Sequence, residues 1–246
     1  MDTLKVTKTI GKVILGITGG ILTITTIYGL DFYRAEDHMD YAKGVRIKRN
    51  FGWMEYGDPD KCDKALMFYP GGKVGLNVYG ELMTRIASQG YYCLVPGMPV
   101  NLAVLAPNTA DRYIKKISKK YPNIKEWYIG GHSLGGTMAC KHAIKRPGVY
   151  KGIIFLAAYP DKGDDMNGTG MKAISIFGSL DSVLNRKKYR DFYDLFPKDN
   201  FEEVIIEGGN HGNFGTYGFQ NGDHTSTIER IDQINKAADI ISNFMK

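Results

Sequence analysis

The sequence predicts an α/β fold in which a mostly parallel β-sheet carries helices on both faces. Short apolar runs alternate along the chain with stretches whose apolar residues recur at helical spacing, an alternation that is typical of parallel sheets. Of the 246 residues, 43% are hydrophobic and 24% are charged, so wholesale disorder is excluded. No internal repeat interrupts the pattern. The length fits one such domain, and a hydrophobic helix is predicted before it.

That N-terminal helix is predicted to be a membrane anchor. Residues 13–30 carry no charge, and as a helix they would span roughly 27 Å, close to the hydrocarbon core of a bilayer. No good signal-peptidase site follows, so an uncleaved transmembrane signal anchor is favoured. A helix packed on the domain or on a partner is the alternative, and cleavage stays open. Lysines precede the stretch and net acidic residues follow it, which puts residues 1–12 in the cytoplasm and the domain outside, on a single-pass membrane protein.

After the anchor, residues 31–43 are predicted to be a polar connector and residues 44–246 the folded domain. The domain begins with two short strands, 45–48 and 53–56. A turn containing Gly52 joins them, which indicates an antiparallel pair.

Apolar runs and helical periodicity then alternate to the C-terminus. The runs predict strands at 65–69, 91–95, 126–129, 152–157, 172–177 and 203–207, of which the first two are expected to be buried. Helical spacing, ended in turn by Gly90, Pro122 and Pro147, predicts helices at 76–88, 109–120 and 134–145, with a closing helix at 227–244.

Charge and cysteine content exclude several functional classes. The net charge of +6 is diffuse, and its lysine clusters on helix 109–120 and at 186–188 lack aromatic interleaving. They indicate solvated helix faces and no nucleic-acid partner. Three cysteines cannot build a disulfide scaffold, and Cys93 and Cys140 fall on predicted core positions. No metal-ligand spacing and no phosphate-binding loop occurs, so neither a metal nor a cofactor is expected.

The strongest chemical signal is a Gly-x-Ser-x-Gly motif within residues 130–136. It lies directly between a predicted strand and a predicted helix, the context that a nucleophile elbow requires. In such an elbow the serine occupies a sharp, strained turn, and small residues on either side let the strand and helix pack closely. Ser133 is therefore the predicted nucleophile.

With this motif in this context, residues 44–246 resemble the α/β-hydrolase superfamily. The run at 211–218, followed by Gln220 and Asp223, resembles a branch of small, lidless bacterial serine hydrolases of esterase type. The resemblance implies an eight-stranded, mostly parallel sheet, no cap domain, and a catalytic triad in the chain order Ser, acid, His.

The resemblance assigns the acid to Asp181. This residue follows the strand at 172–177 and completes a Gly-x-x-Asp pattern that begins at Gly178. The loop after the preceding strand holds a second group of candidates, Asp161, Asp164 and Asp165.

The histidine of the triad should follow the last strand, where His211 stands between glycines. These glycines are expected to leave the loop free to turn the imidazole toward Ser133. His224, further along the chain, is the rival.

Two backbone amides should form an oxyanion hole. One is that of Leu134, directly after the nucleophile, and the other is that of Gly72 in the loop after strand 65–69, with Lys73 as the neighbouring possibility. The Lys73 side chain could also contact a substrate that carries a negative charge near its carbonyl group.

The interval at 159–170 is short and polar, which predicts a pocket without a helical cap. The apolar loop at 96–107 is expected to roof this pocket, and it either packs as core or lines an acyl site. Together these features predict a membrane-anchored serine hydrolase that cleaves a small, soluble carboxylic ester through an acyl-enzyme. A non-catalytic binding protein on the same fold, an acyltransferase and a peptidase are the alternatives.

Overall fold

The computed structural model describes residues 12, 15–16, 18–20, 23 and 31–246 of the chain. Eight strands form one sheet: β1 (Ile47–Asn50), β2 (Trp53–Tyr56), β3 (Lys64–Tyr69), β4 (Tyr92–Pro96), β5 (Glu126–His132), β6 (Tyr150–Leu156), β7 (Lys172–Gly178) and β8 (Phe201–Ile206). Within residues 31–246 the α-helices are α1 (Gly80–Ser88), α2 (Thr109–Lys120), α3 (Leu134–Ala143), α4 (Arg186–Asp191) and α5 (Arg230–Phe244).

The sheet has the strand order β1-β2-β4-β3-β5-β6-β7-β8. The pairs β1–β2 and β2–β4 are antiparallel, and the other pairs are parallel. The prediction of an eight-stranded, mostly parallel sheet that begins with an antiparallel pair is confirmed. Because the carboxyl ends of β3, β5, β6, β7 and β8 meet at one edge, the loops that carry the predicted site residues converge there.

The core follows from the sequence pattern of the strands. Strands β3 to β7 are buried along almost their whole length, as expected when both faces of a parallel sheet are covered. Strand β1, at the edge, is exposed and charged, which discourages edge-to-edge pairing. Cys62, Cys93 and Cys140 are buried and free of disulfides.

Predicted and observed element bounds differ mainly at helix starts. Residues 76–79 form a 3₁₀ turn before α1. The closing helix begins at Arg230 rather than at residue 227, because Glu229 is extended, with φ −62° and ψ 144°. Helix α2 has the predicted bounds, and it buries Ala110, Tyr113 and Ile117 on one stripe.

The predicted anchor at residues 13–30 lies largely outside the described residues. Among the residues that the structure does describe, no helix combines the length and the apolar character needed to cross a membrane. The connector, by contrast, packs on the domain. The amide of Tyr33 donates to the carbonyl of Lys73 at 2.8 Å, and the amide of Gly75 donates to the carbonyl of Tyr33 at 2.9 Å. The connector is thereby hydrogen-bonded to the loop after β3.

Helix α3, which follows the predicted nucleophile, contains the buried His142. Its Nε2 atom lies 2.7 Å from the Tyr150 hydroxyl, and burial together with the nearby Arg146 lowers the pKa of His142 to about 4. An unfolded chain takes up this proton near pH 6.5, so it binds more protons than the folded chain between that value and about pH 4. Folding stability is therefore lost as the pH falls through this window.

We expect His142 to account for about 3 kcal/mol of the stability lost between pH 7 and pH 4. Urea unfolding at both pH values measures this, because the loss should be smaller in His142→Gln by that amount. His38 is exposed, so His38→Gln is the matched control and should keep the wild-type pH dependence. If wild type and His142→Gln lost the same free energy of unfolding between pH 7 and pH 4, the loss would not come from His142.

Candidate active site

Ser133 occupies the strained turn between β5 and α3. Its φ is 52° and its ψ is −126°, a conformation that costs a residue with a side chain about 1–3 kcal/mol. The amide of Ser133 donates to the carbonyl of Leu156 at 2.8 Å and so fixes the turn to the next strand. A Cβ atom on Gly131 would lie 2.6 Å from the carbonyl oxygen of Tyr69, and one on Gly135 would lie 2.3 Å from it. Both flanking positions of the motif therefore require glycine.

Asp181 and His211 lie together at the same edge of the sheet. The Nδ1 atom of His211 is 2.9 Å from Oδ2 of Asp181, and both side chains are almost completely buried. The other carboxylate oxygen, Oδ1, accepts the amides of Val183 at 3.0 Å and Leu184 at 2.8 Å. These bonds fix the orientation of the carboxylate. The Nε2 atom of His211 is buried and has no hydrogen-bond partner in the described part of the chain.

The loops that carry the acid and the histidine touch each other through their backbones. A Cβ atom on Gly178 would lie 2.2 Å from the carbonyl oxygen of Gly209, and the amide of Leu180 donates to that oxygen at 2.9 Å. Gln233 of α5 holds the next residue, Asn210, by two hydrogen bonds. Gly209 therefore packs closely on the loop of the acid, and this part of the His211 loop is held in place, contrary to the expectation that it is free.

Asp223 is a further residue of this edge, and the sequence assigned it no role. Its Oδ2 atom accepts the amide of Gly212 at 2.9 Å, and its Oδ1 atom lies 3.3 Å from the amide of Ser182. One buried carboxylate therefore joins the residue after His211 to the residue after Asp181. The resemblance of the 211–223 segment was the signal that could have found it.

The predicted oxyanion-hole residues are neighbours. A Cβ atom on Gly72 would lie 3.0 Å from Cδ2 of Leu134, so a side chain at residue 72 would crowd this site. No hydrogen bond from the amide of Gly72 or Leu134 is found within residues 31–246. The amide of Lys73, in contrast, donates to the carbonyl of Asn101 at 2.8 Å. Of the two candidates in this loop, Gly72 is the one with an available amide.

The Lys73 side chain lies outside the cleft that holds Ser133. Its ammonium group pairs with Asp31 of the connector at 2.8 Å, and the two residues line a separate cleft together with Asn221. The structure thus does not bring Lys73 to the other candidate site residues as a substrate contact.

Ser133, Leu134 and His211 line one cleft of about 290 Å³. Its walls come from the loops after β6 and β7, through residues 157–159 and 183–185, and its polar residues include Asp161 and Lys188. Residues 157–171 contain turns but no helix, as the prediction of an absent cap requires.

The expectation that the loop at 96–107 roofs this cleft is wrong. None of its residues lines the cleft. Met98 and Ala103 are buried in the core, whereas Val104 and Leu105 are half exposed. The loop packs back on the domain: the Tyr69 hydroxyl donates to the carbonyl of Pro107 at 2.8 Å.

The rival acids and the rival histidine lie apart from the Asp181–His211 pair. Asp161 lines the cleft without a hydrogen bond to His211, and Asp165 instead binds Asn167. Burial raises the pKa of Asp164, whose Oδ2 atom has no partner among the described residues. His224 is exposed, and its backbone carbonyl accepts a bond from the Asn210 side chain.

The sequence of the chain matches the model of a known protein family. The model of the "Alpha/beta hydrolase family" matches residues 65–235, which is more than half of the chain. No curated protein matches the sequence significantly.

Several solved structures share the fold. A protein described as a predicted CIB-like hydrolase, from Thermoplasma acidophilum, has a TM-score of 0.60 and 18% identity over 81% of this chain and 100% of its own. An α/β hydrolase from a sediment metagenome of the Mar Chica lagoon has a TM-score of 0.57 and 15% identity over 81% and 97%. A soluble variant of monoglyceride lipase from Saccharomyces cerevisiae has a TM-score of 0.57 and 11% identity over 86% and 95%. At these identities the likeness establishes the fold alone.

Proposed function

Because the chain belongs to the alpha/beta hydrolase family, we propose that it is a serine hydrolase that cleaves a carboxylic ester through an acyl-enzyme intermediate. One observation carries the proposal. The carboxylate of Asp181 binds Nδ1 of His211 at 2.9 Å, and this leaves Nε2 without a partner among the described residues, in the cleft that also contains Ser133. A neutral imidazole held in this way carries its proton on Nδ1 and offers Nε2 as a base.

The proposed reaction has two halves. The Oγ atom of Ser133 attacks the carbonyl carbon while Nε2 of His211 accepts the hydroxyl proton, and Asp181 stabilises the imidazolium. The amides of Gly72 and Leu134 donate to the oxyanion of the tetrahedral intermediate. His211 then gives its proton to the leaving alkoxide, and an acyl-Ser133 remains. Water, activated by His211, attacks the acyl group and releases the acid and the free enzyme.

A fluorophosphonate probe tests the proposal, because it reacts covalently with an activated serine. We expect the wild-type protein to be labelled at Ser133 and the Ser133→Ala variant to remain unlabelled. Ser88→Ala is the matched control, since Ser88 is exposed at the end of α1, and it should be labelled like the wild type. An unlabelled wild type that binds ester analogues would favour a binding protein on this fold.

The cleft supports a small, short-acyl substrate. Its volume is about 290 Å³, and Asp161, Asn185 and Lys188 make much of its wall polar. We expect p-nitrophenyl acetate and butyrate to be hydrolysed faster than the palmitate ester. The rate with tributyrin should rise smoothly through its solubility limit, because no helical cap has to open. A sharp increase only above that limit, or a preference for palmitate, would contradict this substrate class.

We also propose that residues 13–30 anchor the domain on the outer side of a membrane, as the uncharged stretch between flanks of opposite charge indicates. Deleting residues 1–30 is expected to yield a soluble protein with kcat within about two-fold of the full chain, because this cut keeps the bonds of Tyr33 to Lys73 and Gly75. Deleting residues 1–43 removes those bonds beside Gly72 and should lower kcat. If the shorter deletion is already insoluble or inactive, the segment completes the domain instead.

A further inference from the structure

A second buried histidine, His132, lies beside the proposed triad and has no part in the proposed hydrolysis. It precedes Ser133, and its ring centroid is 4.5 Å from that of His211. Its Nε2 atom lies 3.1 Å from the carbonyl oxygen of His211, and its Nδ1 atom lies 2.9 Å from the hydroxyl oxygen of Tyr79. In the sequence, His132 stands out only as a residue of the Gly-x-Ser-x-Gly motif.

The partners of His132 fix where its proton lies. A carbonyl oxygen can only accept, so the bond to His211 requires a proton on Nε2 of His132. In the neutral ring the Nδ1 atom is then unprotonated and accepts the hydroxyl proton of Tyr79. The Tyr79 oxygen in turn accepts the amide of Gly71 at 3.0 Å. Every polar atom in this chain of three hydrogen bonds is satisfied, as a buried network must be.

The surroundings keep this histidine neutral. Burial is the main cause that holds the pKa of His132 well below its usual value, and the neighbouring His211 lowers it further. The titratable groups that face its ring are the Tyr79 hydroxyl and the His211 imidazole, and Phe214 packs against it at 5.9 Å between ring centroids. A neutral His132 leaves the proton from Ser133 to His211.

We propose that Tyr79 and His132 are positioning residues. They hold the loop after β3, which contains Gly72, in a fixed position relative to the nucleophile and the backbone of His211. This inference rests on the proposed hydrolase function. The hydrogen-bonded chain begins at Gly71, directly before the oxyanion residue Gly72, passes through the neighbour of Ser133 and ends on His211 itself. A Cβ atom on Gly71 would lie 3.0 Å from Nδ1 of His132 and 3.1 Å from the Tyr79 oxygen, so the loop sits directly on this pair.

The variant Tyr79→Phe removes the hydroxyl and keeps the ring, which packs edge-on against Phe68 at 5.0 Å between ring centroids. We expect kcat for p-nitrophenyl acetate to fall about 10- to 100-fold, the cost of misplacing a transition-state contact, while KM stays within about two-fold. Tyr56→Phe is the matched control. Tyr56 is also fully buried, but its hydroxyl has no partner in the described chain, so kcat should not change.

The variant His132→Asn retains an acceptor for Tyr79 and loses the donor to His211. Its kcat should also fall, and the double variant with Tyr79→Phe should lose no more than about two-fold beyond the worse single variant, because both interrupt one chain. Additive losses would overturn the proposal. So would a Tyr79→Phe variant with the kcat of wild type.

A measurement on the unmodified protein keeps the proposal testable if the variants fail to fold. Nitrogen NMR of histidine-labelled protein should find His132 neutral, with its proton on Nε2, between pH 8 and pH 5. A proton on Nδ1, or titration near pH 6.5, would overturn the network. Failure of the hydrolase proposal would look different: the wild type would lack both esterase activity and fluorophosphonate labelling while the His132 tautomer stayed as described.

Discussion

Replacing Ser133 with alanine is expected to lower kcat for ester hydrolysis by about 10⁶-fold, and His211→Ala should cost about as much. The two side chains perform one act, since the serine hydroxyl attacks only as the imidazole removes its proton. Of the described residues, the two buried groups next to the His211 ring are already engaged. The Asp181 carboxylate is hydrogen-bonded through both of its oxygens. The neighbouring His132 has both of its ring nitrogens in hydrogen bonds.

The double variant distinguishes this account from two independent contributions. A shared step predicts that Ser133→Ala combined with His211→Ala is no slower than either single variant, with residual catalysis from the oxyanion hole and binding. Initial rates with p-nitrophenyl acetate at high enzyme concentration measure all three proteins. If the losses in kcat multiply in the double variant, or if the kcat of His211→Ala is within tenfold of wild type, His211 is not the histidine of the triad. His224 is then the candidate.

The sequence predicts the fold because each buried strand is encoded locally. Strand β3 contains an apolar run that ends before Pro70, and β5 contains the apolar run 127–129 followed by two glycines. Helix α2 carries its apolar stripe at helical spacing. The elbow is equally local, since the glycines that Ser133 needs are two positions away on either side. Strand order follows from the family that these signals indicate.

The parts that the sequence did not predict depend on contacts between distant segments. The apolar loop at 96–107 looked like a pocket wall, but Lys73 and Tyr69 hold it against the domain and leave Leu105 half exposed. Asp223 stands in a loop, and Tyr79 ends the 3₁₀ turn before α1. Only the folded chain brings their polar atoms to the backbone of the site. The connector was polar in composition, yet backbone hydrogen bonds of Tyr33 and ion pairs of Asp31 and Asp40 attach it to the domain.

Asp181→Asn is expected to lower kcat by about 10⁴-fold through the tautomer of His211 rather than through a loss of shape. The two amides of Val183 and Leu184 donate to Oδ1 of Asp181 at 3.0 and 2.8 Å, so the asparagine must place its own oxygen there. Its NH₂ group then faces Nδ1 of His211, which can only accept from it. The imidazole must move its proton to Nε2, the atom that should receive the proton of Ser133.

The mechanism also fixes the controls for this variant. Asp165 is an acid of the rival segment, is exposed and binds Asn167 away from the cleft, so Asp165→Asn should keep the wild-type kcat. Asp161→Asn tests the rival acid that lines the cleft, and it should lose far less than Asp181→Asn. Nitrogen NMR of Asp181→Asn should find the His211 proton on Nε2, whereas the wild type should carry it on Nδ1. If Asp161→Asn gave the greater loss and the His211 tautomer of Asp181→Asn were unchanged, the acid of the triad would belong to the loop after β6.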